Sequence, residues 1–321
     1  MIKRVTIGKI ALASIILILL FLFSIFPKGD KYILDLNKNL AIEYVNNAYP
    51  DQIYLIDANN YIARANVLLT AKTTEGKVRE ILEMLIIDGK KESSVPSGFR
   101  AIIPSDTKIV GIDITNEGIV KVNFSKALLD VKKELEEKII EAITFSLTSL
   151  DGIKGVIIYV ENELLTILPQ SNKKLPPVLK RDFGINKVYN LKNIHNINDV
   201  TVYFINKHNE NYYYVPVTKY VNDNRDKIKI IIDELTSGPI YETNLMSFLN
   251  NNVELLNYKL NSNIMELDFN SYIFDDITNK KILEEVIYSI ALSIGDNYDV
   301  NEVIFLVNNE EIEKSVIHAL E

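Results

Sequence analysis

The chain has 321 residues, 47% of them hydrophobic, no cysteine, a net charge of −8 and a pI of about 5.2. Disulfides, thiolate metal sites and a lipid-modified cysteine are excluded, and the acidic balance speaks against an extended nucleic-acid interface. The apolar fraction fits folded domains rather than disorder.

The first predicted element is the run 10–26, IALASIILILLFLFSIF, which carries no charge. A spanning helix needs about 20 mostly apolar residues. Lys3, Arg4 and Lys9 precede the run, and Lys28, Asp30 and Lys31 follow it. Positive charge stays cytoplasmic. The expectation is therefore a cytoplasmic N-terminus at 1–9, a transmembrane helix at 10–28, and the rest outside the cytoplasm. A cleaved signal peptide is the competing reading, but the exit Phe23-Ser24-Ile25-Phe26-Pro27 is bulky where cleavage needs small residues. Residues 29–50 read as a juxtamembrane linker in which Leu36, Leu40, Ile42 and Val45 trace a poor helical stripe.

Beyond the linker the sequence repeats. Each copy opens with an apolar strand, Ile53-Tyr54-Leu55-Ile56 and Val202-Tyr203-Phe204-Ile205. A second strand follows near 63–70 and 212–220, and Pro216 suggests a sheet edge in the second copy. The next element is an amphipathic helix on Val78, Ile81, Leu82 and Leu85, matched by Ile228, Ile231, Ile232 and Leu235. Turns at Asn116-Glu117-Gly118 and Asn261-Ser262-Asn263 then lead into alternating strands. These place Val120, Val122 and Phe124 in one core and Met265, Leu267 and Phe269 in the other. A second helix carries the stripe Leu135, Ile139, Ala142, Ile143, Leu147 and Leu150, or Leu283, Val286, Ile287, Ile290, Ala291 and Ile294. A closing strand, Val156 to Val160 or Val303 to Val307, ends each copy.

The order β-β-α-β-β-α-β, twice, gives an α+β fold class. Each copy is expected to be a two-layer α/β sandwich with helices on one sheet face, folding independently, at 51–168 and 199–321. The 169–198 linker contains Pro176-Pro177, a mark of an extended spacer. Its Lys173, Lys174, Lys180, Arg181 and Lys187 read as a solvated face or as a contact for anionic polymer or lipid.

Gly98-Phe99-Arg100-Ala101-Ile102-Ile103-Pro104 with the hairpin ending Val120 to Ser125 resembles the core of a GerMN domain. Glu234-Leu235-Thr236-Ser237-Gly238-Pro239 and Leu267-Asp268-Phe269-Asn270 are similar to motifs of the same family. The first copy departs from it where its helix ends Ile86-Ile87-Asp88-Gly89-Lys90, without Gly-Pro. The resemblance implies a fold like that of ring-building domains and a non-enzymatic scaffold. Its implied partners are extracytoplasmic envelope or sporulation-complex proteins, with the membrane met through the N-terminal helix and a homo-oligomer as a further possibility. A glycan-binding envelope protein is the alternative, and an envelope hydrolase stands third.

Chemistry-bearing motifs are sparse. His195, His208 and His318 lack metal-ligand spacing, and the nucleophile-elbow, Walker-A and dinucleotide motifs are absent. Asp275-Asp276 and Glu284-Glu285 could serve glycoside hydrolysis. They read more simply as the capping region and solvated face of the second copy's last helix. No catalytic residue, metal or cofactor is expected. Tyr212, Tyr213 and Tyr214 form the candidate interaction edge, on which a partner strand or a glycan would lie.

Overall fold

The computed structural model describes residues 50–239 and 243–317. The predicted transmembrane segment at 10–28 and most of the 29–50 linker lie outside the described residues. Among the described residues no helix is long and apolar enough to cross a membrane.

The first copy runs β1 (Asp51–Asp57), β2 (Ile62–Val67), α1 (Thr74–Leu85), β3 (Phe99–Arg100), β4 (Ile109–Ile114), β5 (Ile119–Phe124), α2 (Lys133–Leu147), β6 (Gly155–Val160) and β7 (Glu163–Leu164). A short strand β8 (Val188–Asn190) follows. The second copy runs β9 (Asn198–His208), β10 (Asn211–Val221), α3 (Lys227–Ser237), β11 (Leu255–Asn261), β12 (Ile264–Phe269), α4 (Glu284–Asn297), β13 (Glu302–Val307) and β14 (Glu310–Val316).

Local chemistry explains the turns. The β4–β5 hairpin closes on Gly118 at φ +79°, where a Cβ would lie 2.2 Å from the Gly152 carbonyl oxygen. Only glycine fits both the left-handed backbone and that approach. Helix α1 starts at Thr73, whose hydroxyl accepts the Gly76 N–H at 3.1 Å, satisfying one of the orphan donors of the first turn.

The strands of one copy do not share a single sheet, which corrects the two-layer expectation. Strands β4-β5-β6-β7 form one sheet and β11-β12-β13-β14 another. The opening hairpins of both copies instead join in a common six-stranded sheet, ordered β3-β1-β2-β10-β8 with β9 on β10. Each four-stranded sheet buries its alternating face on its own helices, with Val122, Phe124, Leu267 and Phe269 all 0% exposed. Helix α2 is buried at every residue from Ile139 to Leu147, because it also lies along β1 of the common sheet. Helix α4 lies along β9 in the same way.

The helices solve the edge problem of the common sheet. An outer strand leaves N–H and C=O groups unpaired. On β1 the Tyr54 N–H donates to the Ser146 hydroxyl at 2.8 Å, and the Gln52 carbonyl accepts from Ser149 at 2.8 Å. On β9 the Tyr203 N–H donates to the Ser293 hydroxyl at 2.9 Å, and Asn297 brackets Thr201 through its N–H and C=O. Ser146 and Ser293 thus serve one purpose from equivalent helix positions.

Candidate interaction surface

The copies meet about a pseudo-two-fold axis between β2 and β10, which pair antiparallel at Arg64 and Tyr214. Positions related by the repeat touch across it. The Tyr54 and Tyr203 hydroxyls lie 2.8 Å apart, and Asn206 donates to Asp57 at 3.2 Å. Tyr203 also donates to Asp296 at 2.7 Å. Arg181 pairs with Asp296 and stacks over the rings of Tyr54, at 5.4 Å, and Phe145, at 4.9 Å. Burial works against the Arg181 charge, but Asp296 together with Tyr54 and Tyr203 outweighs burial and holds the guanidinium well above its ordinary pKa. Burial, then Asp296, pushes the Tyr203 phenol up, so this cluster holds one fixed charge pair beside a neutral Tyr203 hydroxyl. No motif marked Tyr54, Tyr203 or Asp296. The available signal was the two tyrosines at matching places in the opening strands.

The 169–198 segment is less solvated than its composition suggested. Leu175, Leu179 and Ile185 are buried. Lys173 and Lys187 pair with Glu137, and Lys187 also reaches Glu141 at 3.3 Å. Gln170 and Ser171 donate backbone N–H groups to Glu136, both at 2.7 Å. Asn186 fills a gap in the seam. It accepts the Ile62 N–H at 2.9 Å and donates to the Ile62 and Pro216 carbonyls at 2.7 and 2.8 Å. Of the five linker cations, Arg181, Lys173 and Lys187 are thus occupied internally, while Lys174 and Lys180 face solvent.

Strand β10 lies between β9 and β2 at Tyr214, which corrects the expected edge there, while Tyr212 and Tyr213 pair with β9 alone among the described residues. Strand β9 flanks it throughout, and β2 and β8 flank its other side. Pro216 is tolerated because its carbonyl faces Asn186, so its missing N–H falls on the same gap, where no ladder bond runs. The three rings differ in role. Tyr212 is 42% exposed, set edge-on to Phe248 at 5.3 Å and under Lys207 at 5.6 Å. Tyr213 donates to Asp57 at 2.8 Å and meets Phe99 edge-on. Tyr214 lies beside Tyr288.

The other candidates stay apart. His195 is exposed, His208 covers Gly98, and His318 lies outside the described residues. No group of metal-ligating side chains occurs among the described residues. Asp276 accepts the Asn279 N–H at 3.0 Å and its amide at 2.7 Å, which hold its carboxyl below the ordinary range. It therefore stabilises a turn ahead of α4 and does not cap the helix, whose N-cap is Leu283.

Open strand edges remain on the four-stranded sheets. Among the described residues, strands β4 and β11 each pair on one side only, with β5 and β12. Val110 on β4 is 58% exposed, and Leu256 and Leu260 on β11 are 51% and 50% exposed.

The comparisons agree with this tandem architecture. The family model described as "Germane: Sporulation and spore germination" matches residues 52–166 and 201–313. The spore germination protein GerM of Bacillus subtilis (strain 168) is 32% identical over 264 residues, covering 81% of this chain and 71% of that protein. The solved tandem GerMN domains of the Bacillus subtilis sporulation protein GerM superpose with a TM-score of 0.74 at 31% identity, over 82% of this chain and 92% of that one.

Proposed function

This chain belongs to the Germane family of sporulation and spore germination, and from that premise we propose that it is a membrane-anchored scaffold outside the cytoplasm. It supports a sporulation or germination envelope complex through protein–protein contacts, without catalysis. The observation behind this reading is the pair of open strand edges, β4 and β11, which present Val110, Leu256 and Leu260 to solvent. Such an edge offers unpaired N–H and C=O groups with side chains alternating beside them, the surface used in strand addition. The seam of Tyr54, Tyr203, Arg181 and Asp296 holds both edges in one body, so a partner meets a fixed arrangement. The apolar run 10–26 supplies the anchor.

Crosslinking and pull-down of the full-length tagged chain from membranes of sporulating cells tests this. Recovery of envelope-complex proteins, lost on combining Leu256→Asp with Leu260→Asp while the fold is kept, is the expected result. Equal recovery with both chains, or no recovered partner, overturns it. A glycan-binding role has one observation in its favour, the exposed Tyr212 ring with Lys207 and Phe248 around it. Retention on purified cell wall that is lost in Tyr212→Ala would bring that reading forward.

A further inference from the structure

The pseudo-two-fold axis creates two equivalent seats on the common sheet. The hairpin registers relate them. Ile56 pairs with Ile62, and its repeat partner Ile205 pairs with Tyr214. Asn66 therefore corresponds to Thr218, and Leu68 to Tyr220. With Ser146 matched to Ser293, Glu137 on α2 corresponds to Glu284 on α4.

The seat on β10 is filled, and its occupant shows what such a seat holds. Residues 185–190 run along the strand edge. The Thr218 N–H donates to the Ile185 carbonyl at 2.8 Å, and the Ile185 N–H donates to the Thr218 hydroxyl at 2.9 Å. Strand β8 continues in parallel, with Val188, Tyr189 and Asn190 opposite Lys219, Tyr220 and Val221. Tyr189 stacks on Tyr220 with ring centroids 4.8 Å apart. Lys187 pairs with Glu137 on the flanking helix. Three features therefore hold the segment: a strand edge, a carboxylate on the helix beside it, and a large side chain for a ring to cover.

The seat on β2 offers the same three. The Gln52 carbonyl and the Tyr54 N–H both turn to α2. Ladder alternation then directs the N–H and C=O of Asn66, the partner of Gln52, away from β1. On that side β10 pairs with Arg64, and among the described residues no strand pairs with Asn66. Leu68, at the Tyr220 position, is 56% exposed. Glu284 is exposed, and neither it nor Glu285 has an ion pair among the described residues. Both carboxylates act on the Tyr214 phenol, which burial first and then their charge push up, so they face the seam.

We propose that this seat docks an extended segment of another protein, laid parallel on β2 from Asn66 to Leu68. A lysine or arginine of that segment pairs with Glu284, and an aromatic ring two residues further on covers Leu68. The spacing is that of Lys187 and Tyr189 in the filled seat. Backbone hydrogen bonds to the strand edge supply affinity, and the two side chains set the register. Charge selects the partner, because two unpaired carboxylates on a chain of net charge −8 attract a basic segment and repel an acidic one. The seat lies apart from the β4 and β11 edges and has its own sequence requirement.

The linker itself supplies the probe. A fluorescein-labelled peptide of residues 184–191, Gly-Ile-Asn-Lys-Val-Tyr-Asn-Leu, is titrated against the full-length chain in detergent and followed by anisotropy. The expected result is saturable binding of one peptide per chain, about tenfold or more tighter than that of the same residues in scrambled order. Leu68→Asp should abolish it. Glu284→Lys should weaken it about tenfold, and Lys187→Glu in the peptide should restore it. Both protein substitutions fall on exposed side chains, and an unchanged thermal melt shows that the fold is kept. Equal binding of the two peptides, or none, overturns the proposal. Binding indifferent to Leu68→Asp and Glu284→Lys overturns it too, and its loss on combining Leu256→Asp with Leu260→Asp would place the peptide on β11. Self-association of the chain that the peptide disperses, measured by sedimentation, would assign the seat to a second copy and overturn the separate partner.

Discussion

Helices α2 and α4 occupy equivalent places and cap equivalent strands, yet their outer faces differ. On α2, Glu136, Glu137 and Glu141 are all engaged by the linker, through two backbone N–H groups, two lysines and the Asn186 N–H. On α4 the same positions carry Leu283, Glu284 and Tyr288. The apolar stripe and the strand-capping serine recur because both copies need the same core and the same protected edge. The polar positions diverge because, among the described residues, a chain segment crosses α2 and none crosses α4. In a tandem repeat, then, shared residues report the fold and unshared polar residues report what lies across it.

This comparison can be broken at its base. Phe124 and Phe269 are both 0% exposed, and truncating either to alanine should cost about 3–5 kcal/mol in urea unfolding. A near-neutral effect in one copy would show that the two cores are not equivalent. Arg181→Ala should cost about 3 kcal/mol, because it strips Asp296 of its partner at a partly buried site. The seam, unlike the cores, has no second arginine to share the loss.

Acid should separate the copies further. Burial raises the Glu80 carboxyl, but Lys91 and the Thr70 and Ala71 groups outweigh it and hold it at about 2, against an ordinary value of 4.5. Its folded pKa is depressed, so its stabilisation is present above the ordinary value and is lost as pH falls from about 5 towards 2. Ile230 takes the Glu80 position in the second copy. Glu80→Gln should cost about 2 kcal/mol at neutral pH, and the two stability curves should converge near pH 2. A difference that persists there would remove the carboxylate as the cause. The smallest effect is expected at the open edges. Val110→Asp and Leu256→Asp should each stay within about 0.5 kcal/mol of the parent, and a larger loss would show that those side chains are covered.

Much of the fold was legible because periodicity reports burial. The stripes Val78, Ile81, Leu82 and Ile228, Ile231, Ile232 form helices, and the alternation through Phe124 and Phe269 forms strands. What periodicity does not report is which sheet a strand joins, since an alternating hairpin serves any apolar face. The six-stranded sheet was hidden for that reason, and so was the position of Tyr214 between β9 and β2. Pro216 pointed to an edge because a proline lacks a donor, and only the gap filled by Asn186 makes that donor dispensable. The linker was misleading for a different reason. Lys187 and Arg181 count as solvated charge in a composition, but their partners Glu137, Glu141 and Asp296 lie far along the chain and are brought near only by the seam.

The common sheet also sets an order of events during synthesis. All strands of the first copy are made once Leu164 has emerged, but β2 cannot meet β10 until Val221 has followed. At roughly 5–20 residues per second, the finished first copy waits about 3–11 s with the inner edge of β2 unpaired. During that interval the β10 of a neighbouring nascent chain is an equally good match, and accepting it would yield an exchanged dimer built from the same contacts. The length of the connecting segment therefore acts as a delay, and crowded synthesis should favour intertwined pairs over closed single chains.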